Sequence, residues 1–380
     1  MKINVAYLDY SSLFAGAERV LHIIIENLDR TQFEPYIIFP YPMEHHERYK
    51  DLNCKTHYLA HKKSWWMGSD YWKHPLRGTD VIKRTIFGIA LAVFLKKNHI
   101  DILHVNLLRP DALMWLFPSK LLGIKILGHF RSHSIAWVAP KRVQKCCQLI
   151  VCVSKFSRSR LLLKGNNVNS CVVYDSIDIS SFQSKLSKAE AKANLGYDEK
   201  THLMVSVGQL SIRKGHDNAI RAFSLIADRF PDLRLFIVGG GSENALTELI
   251  RISKEFNVED KVRFSEKQVV NIADIYCAAD LTLSLSKDGE AFGLVPFEST
   301  CMETPFLAPK IGAVNEFIFN GENGLLVDTN NVEDIANCME WVFNHYAEAV
   351  EMNKKVQSII NDQLSPSVMT ANLEAIYKQL

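Results

Sequence analysis

Several features that would narrow the class of this 380-residue protein are missing from its sequence. No apolar run is long enough to cross a bilayer, and the longest, Thr85 to Leu95, is expected to form a buried helix. The first residues, Met1 to Leu8, have the pattern of a strand and not that of a signal peptide. The formal net charge is only +2, which argues against nucleic acid as a partner.

One cysteine motif and one metal-binding motif are also missing. None of the eight cysteines forms a C-x-x-C pair, and most lie in apolar stretches such as Cys146 to Cys152. We therefore expect reduced thiols packed as small core residues, and a cytoplasmic protein. No D-x-D sequence occurs, so the usual carboxylate clamp for a metal–diphosphate complex is lacking. We expect no metal ion and no cofactor.

What the sequence does contain is a repeated alternation of strands and helices. In the first half, a strand at Ile3–Leu8 leads to a helix over about Ala17 to Leu28, and further short apolar runs follow. The later candidate strands of this half are Tyr36–Phe39, Ile102–Val105, Lys125–Gly128 and Leu149–Val153. Such alternation predicts right-handed βαβ units and a parallel sheet covered on both faces.

The alternation starts again after Asp178, with a polar linker over Ser176 to Lys192. The candidate elements are the strands His202–Val207, Leu233–Val238, Lys261–Phe264, Leu281–Leu285, Phe306–Ala308 and Gly324–Val327, and the helices Asp217–Arg229 and Glu243–Phe256. We predict an α/β protein of two Rossmann-like domains, residues 1–178 and 179–365, with a ligand cleft between them. A last helix after Pro366, within residues 366–380, is proposed to pack back on the first domain.

The most informative segment runs from Ser284 to Pro305. A strand ends near Leu285, a glycine-containing loop follows, and a helix is expected to begin near Leu294. The amides of Phe292, Gly293 and Leu294 would then point outward at a helix N-terminus, which is a ready anion site. Glu290 lies before this helix and Glu298 within it, and carboxylates are strong acceptors for sugar hydroxyls.

This segment resembles the Glu-x7-Glu motif of retaining glycosyltransferases of family 4, which adopt the GT-B fold of two Rossmann-like domains facing across a cleft. Other stretches resemble family motifs in the same order along the chain. They are Ala15-Gly16-Ala17-Glu18-Arg19, Val151 to Ser154, Val172 to Asp178, Val207 to Gly215 and Ile237 to Gly241. The ordered set covers nearly the whole sequence.

The resemblance implies a role for each matching residue. Glu290 would contact hydroxyls of the donor sugar, and Glu298 the ribose of the nucleotide. Arg213 and Lys214 would neutralise the diphosphate, in place of a metal, as the leaving group develops charge. The other implied donor contacts are Gly16 through close backbone approach, Val269 to the base, Phe292, Gly293 and Leu294 through amides, and His129 in the sugar pocket. His104, by contrast, is interpreted as a structural residue.

The implied reaction is metal-independent transfer, with retention, of a hexose-type sugar from a UDP- or GDP-sugar. The acceptor would be a glycan or a lipid-linked saccharide, in the biosynthesis of bacterial surface polysaccharide such as O-antigen, capsule or lipopolysaccharide. Two alternatives stay open: a nucleotide-sugar epimerase or phosphorylase of the same fold, and a catalytically silent subunit that binds sugar nucleotides.

Cations and aromatic residues are mixed between Lys62 and Lys73, including Trp65, Trp66 and Trp72, and the cation pairs Lys83-Arg84 and Lys96-Lys97 lie further on. Such mixtures suit an anionic membrane interface. The hypothesis is a peripheral contact with the cytoplasmic face of the membrane, and its alternative is a solvated basic loop.

Overall fold

The computed structural model describes residues 2–11, 15–60, 78–163, 168–180, 182–265 and 271–380. The chain divides into two compact units. Unit 1 consists of residues 1–176 and 366–380, and unit 2 of residues 177–365. The first unit therefore ends two residues before the predicted boundary and includes the helix after Pro366.

Unit 1 is built on a parallel sheet. In chain order its elements before residue 177 are β1 (Ile3–Leu8), α1 (Gly16–Asn27), β2 (Phe33–Phe39), β3 (Lys55–Tyr58), α2 (Gly78–Lys97), β4 (Ile102–Val105), α3 (Leu113–Leu121), β5 (Lys125–Phe130), α4 (Lys141–Gln144), β6 (Leu149–Cys152), α5 (Lys155–Leu162) and β7 (Ser170–Val172). Within the described part of this unit, the seven strands pair in the order β3-β2-β1-β4-β5-β6-β7. The central strands are buried on both faces, which explains their continuous apolar sequences.

Unit 2 repeats this architecture. Its elements are α6 (Lys188–Asn194), β8 (His202–Val207), α7 (His216–Ile226), β9 (Leu233–Val238), α8 (Glu243–Glu255), β10 (Val262–Phe264), α9 (Ile272–Ala278), β11 (Leu281–Leu283), α10 (Leu294–Cys301), β12 (Phe306–Pro309), β13 (Leu325–Val327), α11 (Val332–Asn344) and α12 (Tyr346–Gln363). The six strands among its described residues are parallel, in the order β10-β9-β8-β11-β12-β13. The predicted α/β class and two Rossmann-like units are confirmed.

The last helix, α13 (Pro366–Gln379), packs on α1 within unit 1. It begins at the proline that stops the preceding helical pattern, because proline is tolerated in a first helical turn. Its residues Met369, Leu373 and Tyr377 are buried in the same core as Val5 and Ile24. The far end of the sequence is therefore part of the first hydrophobic core.

Two differences from the sequence expectations have clear physical reasons. The strands β3 and β7 were absent from the prediction because they are short edge strands without a continuous apolar run. The expectation that Thr85 to Leu95 forms a buried helix is wrong in part. The helix exists as part of α2, but it buries Leu91 and Leu95 while Ile89 and Val93 face outward.

The hypothesis of a membrane contact between Lys62 and Lys73 concerns residues outside those described. In the parts of the chain that the structure does describe, no helix combines the length and the apolar content needed to cross a bilayer. All eight cysteines lie in described positions and are free thiols.

Gly215 allows two loops of unit 2 to approach closely. It has a φ of 72°, and an added Cβ would lie 2.1 Å from the carbonyl oxygen of Leu285. We therefore expect Gly215→Ala to destabilise the protein by about 2 kcal/mol or more, since it adds both backbone strain and a backbone clash. Thermal unfolding followed by circular dichroism measures this as a lowered midpoint.

The matched control is Gly240→Ala, because nothing lies within 4 Å of a Cβ added there. We expect that variant to stay within about 0.5 kcal/mol of the wild type. Equal unfolding midpoints for the two variants would contradict the close approach described at Gly215.

Candidate functional site

The polar residues of unit 2 gather where its strand order reverses. The chain runs outward from β8 to β10 on one side and from β11 to β13 on the other, so β8 and β11 are neighbours in the sheet. Ligands of open parallel sheets bind at the carboxyl ends of the strands beside such a switch point. The loop after β8 carries Arg213 and Lys214, and the loop after β11 carries Ser286 and Glu290.

The two loops are joined by backbone and side-chain contacts. Residues Ile212–Lys214 form a single 3-10 turn, and the amide of Lys287 donates to the carbonyl oxygen of Arg213 at 2.8 Å. The Lys287 ammonium pairs with the Asp217 carboxylate at 2.7 Å. These contacts hold the loop after β8 against the loop after β11, at the glycine that permits their approach.

One carboxylate oxygen collects three donors at this position. Oε1 of Glu290 lies 2.6 Å from Nζ of Lys214 and 3.1 Å from Nη1 of Arg213, and it accepts a hydrogen bond from Ser286. All three partners come from residues that are 4 to 77 positions away in sequence. The structure thus brings together three of the predicted site residues and adds Ser286, which had no predicted role.

The electrostatics of this cluster favour a charged carboxylate. Burial raises the pKa of Glu290, but the charges of Lys214 and Arg213 outweigh it and hold the pKa at about 2. Arg213 also lies 3.5 Å from the exposed carboxylate of Asp288. The two cations are therefore already paired, and an incoming anion would share them with Glu290.

The helix α10 begins directly beside these charges. Gly293 precedes it with a φ of 88°, which favours glycine, and Leu294 is its first residue, as predicted. The first N–H groups of any helix lack partners within that helix, and they carry partial positive charge. Phe292 is buried and stacks against Phe297 with ring centroids 5.4 Å apart, which fixes the entry into the helix.

Glu298 lies one turn into α10 and is buried. Its Oε2 accepts a hydrogen bond of 2.8 Å from the hydroxyl of Tyr276, which belongs to α9. Tyr276 was missed in the sequence analysis, because its separation of 22 residues from Glu298 follows no local period. This hydrogen bond holds the carboxylate in one orientation.

In unit 1, His129 belongs to a buried chain of hydrogen bonds. Its Nδ1 lies 3.0 Å from Nε2 of His104, and Nδ1 of His104 lies 2.6 Å from the hydroxyl of Tyr377 in α13. The hydroxyl oxygens of Tyr377 and Tyr7 are 3.3 Å apart. Four side chains from β1, β4, β5 and the last helix are linked in this way.

The hydrogen bonds around His129 fix which of its ring nitrogens carries the proton. Nη2 of Arg131 lies 3.3 Å from Nδ1 of His129, and a guanidinium can only donate. Nδ1 of His129 is therefore an acceptor, so the neutral ring has its proton on Nε2. Within the described residues, this buried Nε2 has no hydrogen-bond partner. The ring offers an N–H that a ligand oxygen could accept.

Burial and neighbouring charge keep both rings neutral. Burial lowers the pKa of His104 to about 3, with a smaller contribution from the Arg131 charge. Burial also lowers the pKa of His129 well below its ordinary value, and Arg131 adds to this. Arg131 itself pairs with the Asp175 carboxylate, which follows β7. The interpretation of His104 as structural did not include this contact with His129.

A second set of buried polar atoms lies beside the switch point of unit 1. Asp9 follows β1 and Asn106 follows β4, and these two strands are neighbours. Among the described residues, Oδ2 of Asp9 and Oδ1 of Asn106 have no hydrogen-bond partner. Burial raises the pKa of Asp9, and the nearby Glu18 carboxyl raises it further. The sequence analysis missed both residues, although each directly follows a strand.

The remaining predicted positions are placed as follows. Gly16 is the first residue of α1, and the amide of Ala15 before it donates to the Glu18 carboxylate at 2.9 Å. Val269 lies outside the described residues, so its predicted contact with a base stays a prediction. Within the described ranges, no group of three or more His, Cys, Asp or Glu side chains has the arrangement to hold a metal ion.

The raised pKa of Asp9 predicts a specific pH dependence of stability. The folded protein keeps the Asp9 proton to a higher pH than the unfolded chain does. The free energy of unfolding therefore falls as pH rises above the ordinary aspartate pKa of about 3.9. Asp9→Asn removes that loss. We expect its unfolding midpoint to exceed the wild-type value increasingly as pH rises from about 4 to 8.

Asp29→Asn is the control with the opposite sign. Hydrogen bonds from Thr31 and Gln32 lower the pKa of Asp29 to about 2, so its contribution is present above the ordinary pKa and lost as pH falls. Asp29→Asn should therefore be less stable than the wild type at neutral pH. Parallel pH profiles for Asp9→Asn and the wild type would contradict the raised pKa.

Comparison with known proteins agrees with this geometry. Residues 187–359 match the family described as glycosyl transferases group 1. The D-inositol 3-phosphate glycosyltransferase of Rhodococcus jostii is 33% identical over 159 residues, which are 40% of this chain and 35% of that protein. The chain thus matches little more than a third of that relative's length. The N-acetyl-alpha-D-glucosaminyl L-malate synthase of Bacillus anthracis is 23% identical over 299 residues, 76% of this chain and 77% of the relative.

Solved structures match the whole chain. Anabaena HepE in complex with UDP and glucose has a TM-score of 0.81 and 18% identity, with 100% of both chains covered. A glycosyltransferase from Rickettsia africae has a TM-score of 0.82 and 19% identity, covering 100% of this chain and 98% of the other. Residues 187–359 are therefore similar to the glycosyl transferases group 1 family, and the chain as a whole has the GT-B fold.

Proposed function

We propose that this protein is a glycosyltransferase that takes its sugar from a nucleoside diphosphate sugar. The observation that carries the proposal is the cluster of Arg213, Lys214 and Glu290 beside the N-terminus of α10. It lies in the part of the chain that matches the glycosyl transferases group 1 family. UDP bound to a protein of the same fold and the names of the matched relatives also support a nucleotide-sugar donor.

The cations are proposed to stabilise the leaving diphosphate without a metal ion. In the transfer, the bond between the sugar C1 and the diphosphate oxygen breaks, and the acceptor oxygen bonds to C1. The acceptor proton passes to a phosphate oxygen of the donor, on the same face, so that the configuration at C1 is retained. Arg213, Lys214 and the amides of Phe292, Gly293 and Leu294 at the N-terminus of α10 offset the charge that develops on the diphosphate.

The other site residues take different roles in this proposal. Glu298, held by Tyr276, accepts hydroxyls of the nucleotide ribose. Glu290 contacts the hydroxyls of the donor sugar, and its charge is fixed by the two cations. His129 donates from Nε2 to a substrate hydroxyl, as its tautomer allows. Gly16 and Val269 are proposed, from the family motifs alone, to approach the diphosphate and the base.

We infer a hexose-type sugar and a glycan or lipid-linked acceptor of bacterial surface polysaccharide from the family resemblance. The names of the two relatives specify an inositol phosphate and L-malate, so the acceptor of this chain calls for a direct test.

A panel of UDP- and GDP-sugars in a thermal-shift assay identifies the donor, since a ligand at a hundred times its Kd adds about 2.7 kcal/mol to the free energy of unfolding. The peripheral membrane contact proposed for Lys62 to Lys73 is a separate question.

Nucleotide release separates transfer from the alternatives. A transferase releases nucleoside diphosphate in step with the acceptor and forms a glycosylated product of the same anomeric configuration as the donor. Isomerised donor without acceptor would indicate an epimerase, sugar 1-phosphate a phosphorylase, and binding without turnover a silent subunit. Each of these results would overturn the proposal.

Metal independence is a testable consequence of this proposal. D-x-D is absent and two cations face the carboxylate cluster, so we expect full turnover in excess EDTA. Product formation is measured before and after chelation, with a metal-dependent glycosyltransferase as the control for effective chelation. Activity that disappears with EDTA and returns with Mg²⁺ or Mn²⁺ would refute it.

A further prediction separates the roles of Glu290 and Glu298. Contacts to the reacting sugar strengthen in the transition state. Glu290→Gln should therefore raise the activation free energy by about 3 kcal/mol and lower kcat about a hundredfold. Contacts to the ribose change little during the reaction, so Glu298→Gln should chiefly raise KM for the donor. Because Glu290→Gln frees Arg213 and Lys214 from their partner, calorimetry should show undiminished binding of the bare nucleoside diphosphate.

Asp288→Asn is the matched control, since it removes a carboxylate near Arg213 that is largely exposed. We expect kinetic constants close to the wild type for that variant. A near wild-type kcat for Glu290→Gln, or tight nucleotide binding by Glu298→Gln, would show that the two roles are assigned wrongly.

A further inference from the structure

The last helix reaches the candidate site of unit 1 through one hydroxyl group. Tyr377 in α13 is buried, and its ring packs edge-to-face against Phe33, with centroids 5.8 Å apart. Its hydroxyl lies 2.6 Å from Nδ1 of His104 in β4. Nε2 of His104 lies in turn 3.0 Å from Nδ1 of His129 in β5. Tyr377 is thus connected to the ring that has an Nε2 proton to offer to a ligand.

These hydrogen bonds run in one direction. A tyrosine hydroxyl and a neutral imidazole can each donate and accept, so the series by itself allows two directions. Arg131 excludes one of them, because its guanidinium faces Nδ1 of His129 at 3.3 Å and can only donate. His104 therefore donates from Nε2 to His129, and its own Nδ1 is an acceptor. The proton on that side comes from the hydroxyl of Tyr377.

The hydroxyl of Tyr377 fixes the ring of His104. Both nitrogens of this ring are used, Nδ1 as an acceptor and Nε2 as a donor, so the imidazole is held at two edges. Burial lowers the pKa of His104 to about 3, which keeps the ring neutral and able to accept at Nδ1. Without the hydroxyl, this buried nitrogen would lose its donor, and the hydrogen bond to His129 alone would orient the ring.

We propose that Tyr377 and His104 are positioning residues for His129. The Tyr377 hydroxyl orients the His104 ring, and His104 holds His129 with its Nδ1 engaged and its Nε2–H available to a ligand hydroxyl. The inference rests on the proposed function only where it identifies that hydroxyl as one of a sugar. The competing interpretation is that these hydrogen bonds merely satisfy buried polar groups of the core.

NMR of the full chain labelled with ¹⁵N-histidine tests the positioning role without a ligand. In the wild type we expect both rings to be neutral, with the proton on Nε2. His104→Gln and His129→Gln assign the signals, since each variant removes one set. Tyr377→Phe should change the Nδ1 signal of His104, which loses its donor, and also the ring signals of His129. A merely structural hydroxyl would change the signals of His104 alone.

Tyr49→Phe is the matched control. Tyr49 is buried in the same core as Tyr377, but its hydroxyl donates to the backbone carbonyl oxygen of Glu18 at 3.1 Å. Both variants remove one buried hydroxyl, so both should lower the midpoint of a circular dichroism melt by a similar amount. In Tyr49→Phe the ring signals of His129 should be those of the wild type.

Calorimetry measures the consequence for binding. The probe is the UDP- or GDP-sugar that stabilises the wild type in the thermal-shift panel, compared with UDP or GDP alone. Tyr377→Phe should weaken binding of the sugar nucleotide by about fivefold to tenfold and leave that of the bare nucleotide unchanged, because the proposed contact of His129 is with the sugar.

Variants of His104 show whether Tyr377 acts through that ring. His104→Gln has a side-chain amide that can donate to Nδ1 of His129, so it should retain more affinity for the sugar nucleotide than His104→Leu. Adding Tyr377→Phe to His104→Leu should cause no further loss of this affinity, since two residues that act through one contact are not additive.

Three results would overturn the proposal. The first is a set of His129 ring signals that Tyr377→Phe leaves unchanged. The second is an equal loss of sugar-nucleotide affinity in Tyr49→Phe and Tyr377→Phe, which would attribute the loss to weakened packing of the core. The third is an additive loss in the double variant Tyr377→Phe/His104→Leu. If no UDP- or GDP-sugar binds the wild type, the proposed function fails, while the NMR comparison still decides the positioning role.

Discussion

In each parallel sheet, the direction in which successive strands are added reverses between two neighbouring strands. The loops that follow these two strands therefore lie next to each other. In unit 2 this constraint makes β8 and β11 neighbours, and the loops that follow them carry Arg213, Lys214 and Glu290. In unit 1 it makes β1 and β4 neighbours, so Asp9 and Asn106 follow adjacent strands. The candidate site residues depend on this topology more than on any single contact.

The clusters at the two switch points differ in their electrostatics. In unit 2, cations surround the carboxylate of Glu290 and hold its pKa at about 2 against the effect of burial. In unit 1, burial prevails, so that the pKa of Asp9 rises and the pKa of His129 falls. The first arrangement suits the neutralisation of an anion, and the second offers neutral hydrogen-bonding groups that suit hydroxyls. Buried polar atoms without hydrogen-bond partners lower the stability of a protein. Such atoms are expected at a site where a bound ligand supplies the missing partners.

Much of the fold and part of the site could be predicted from the sequence. The central strands, such as Ile102–Val105 and His202–Val207, were predicted with their observed bounds because full burial requires a continuous apolar run. The beginning of α10 after Gly293 followed from the glycine-containing loop that precedes it. The edge strand Lys55–Tyr58 and the exposed side of α2 could not be predicted, since an edge strand has little apolar sequence and apolar residues do not show which side is covered.

By itself, the sequence determined the succession of strands and helices, the parallel sheets and the family motifs around Glu290. These depend on local pattern and on residue types at fixed spacing. Only the tertiary structure decided that Tyr276 orients Glu298. It also decided that Tyr377, at the far end of the chain, contacts His104, which in turn contacts His129. Such contacts join residues up to 273 positions apart. No periodicity specifies them, because they arise only when the strands and helices of each unit have packed together.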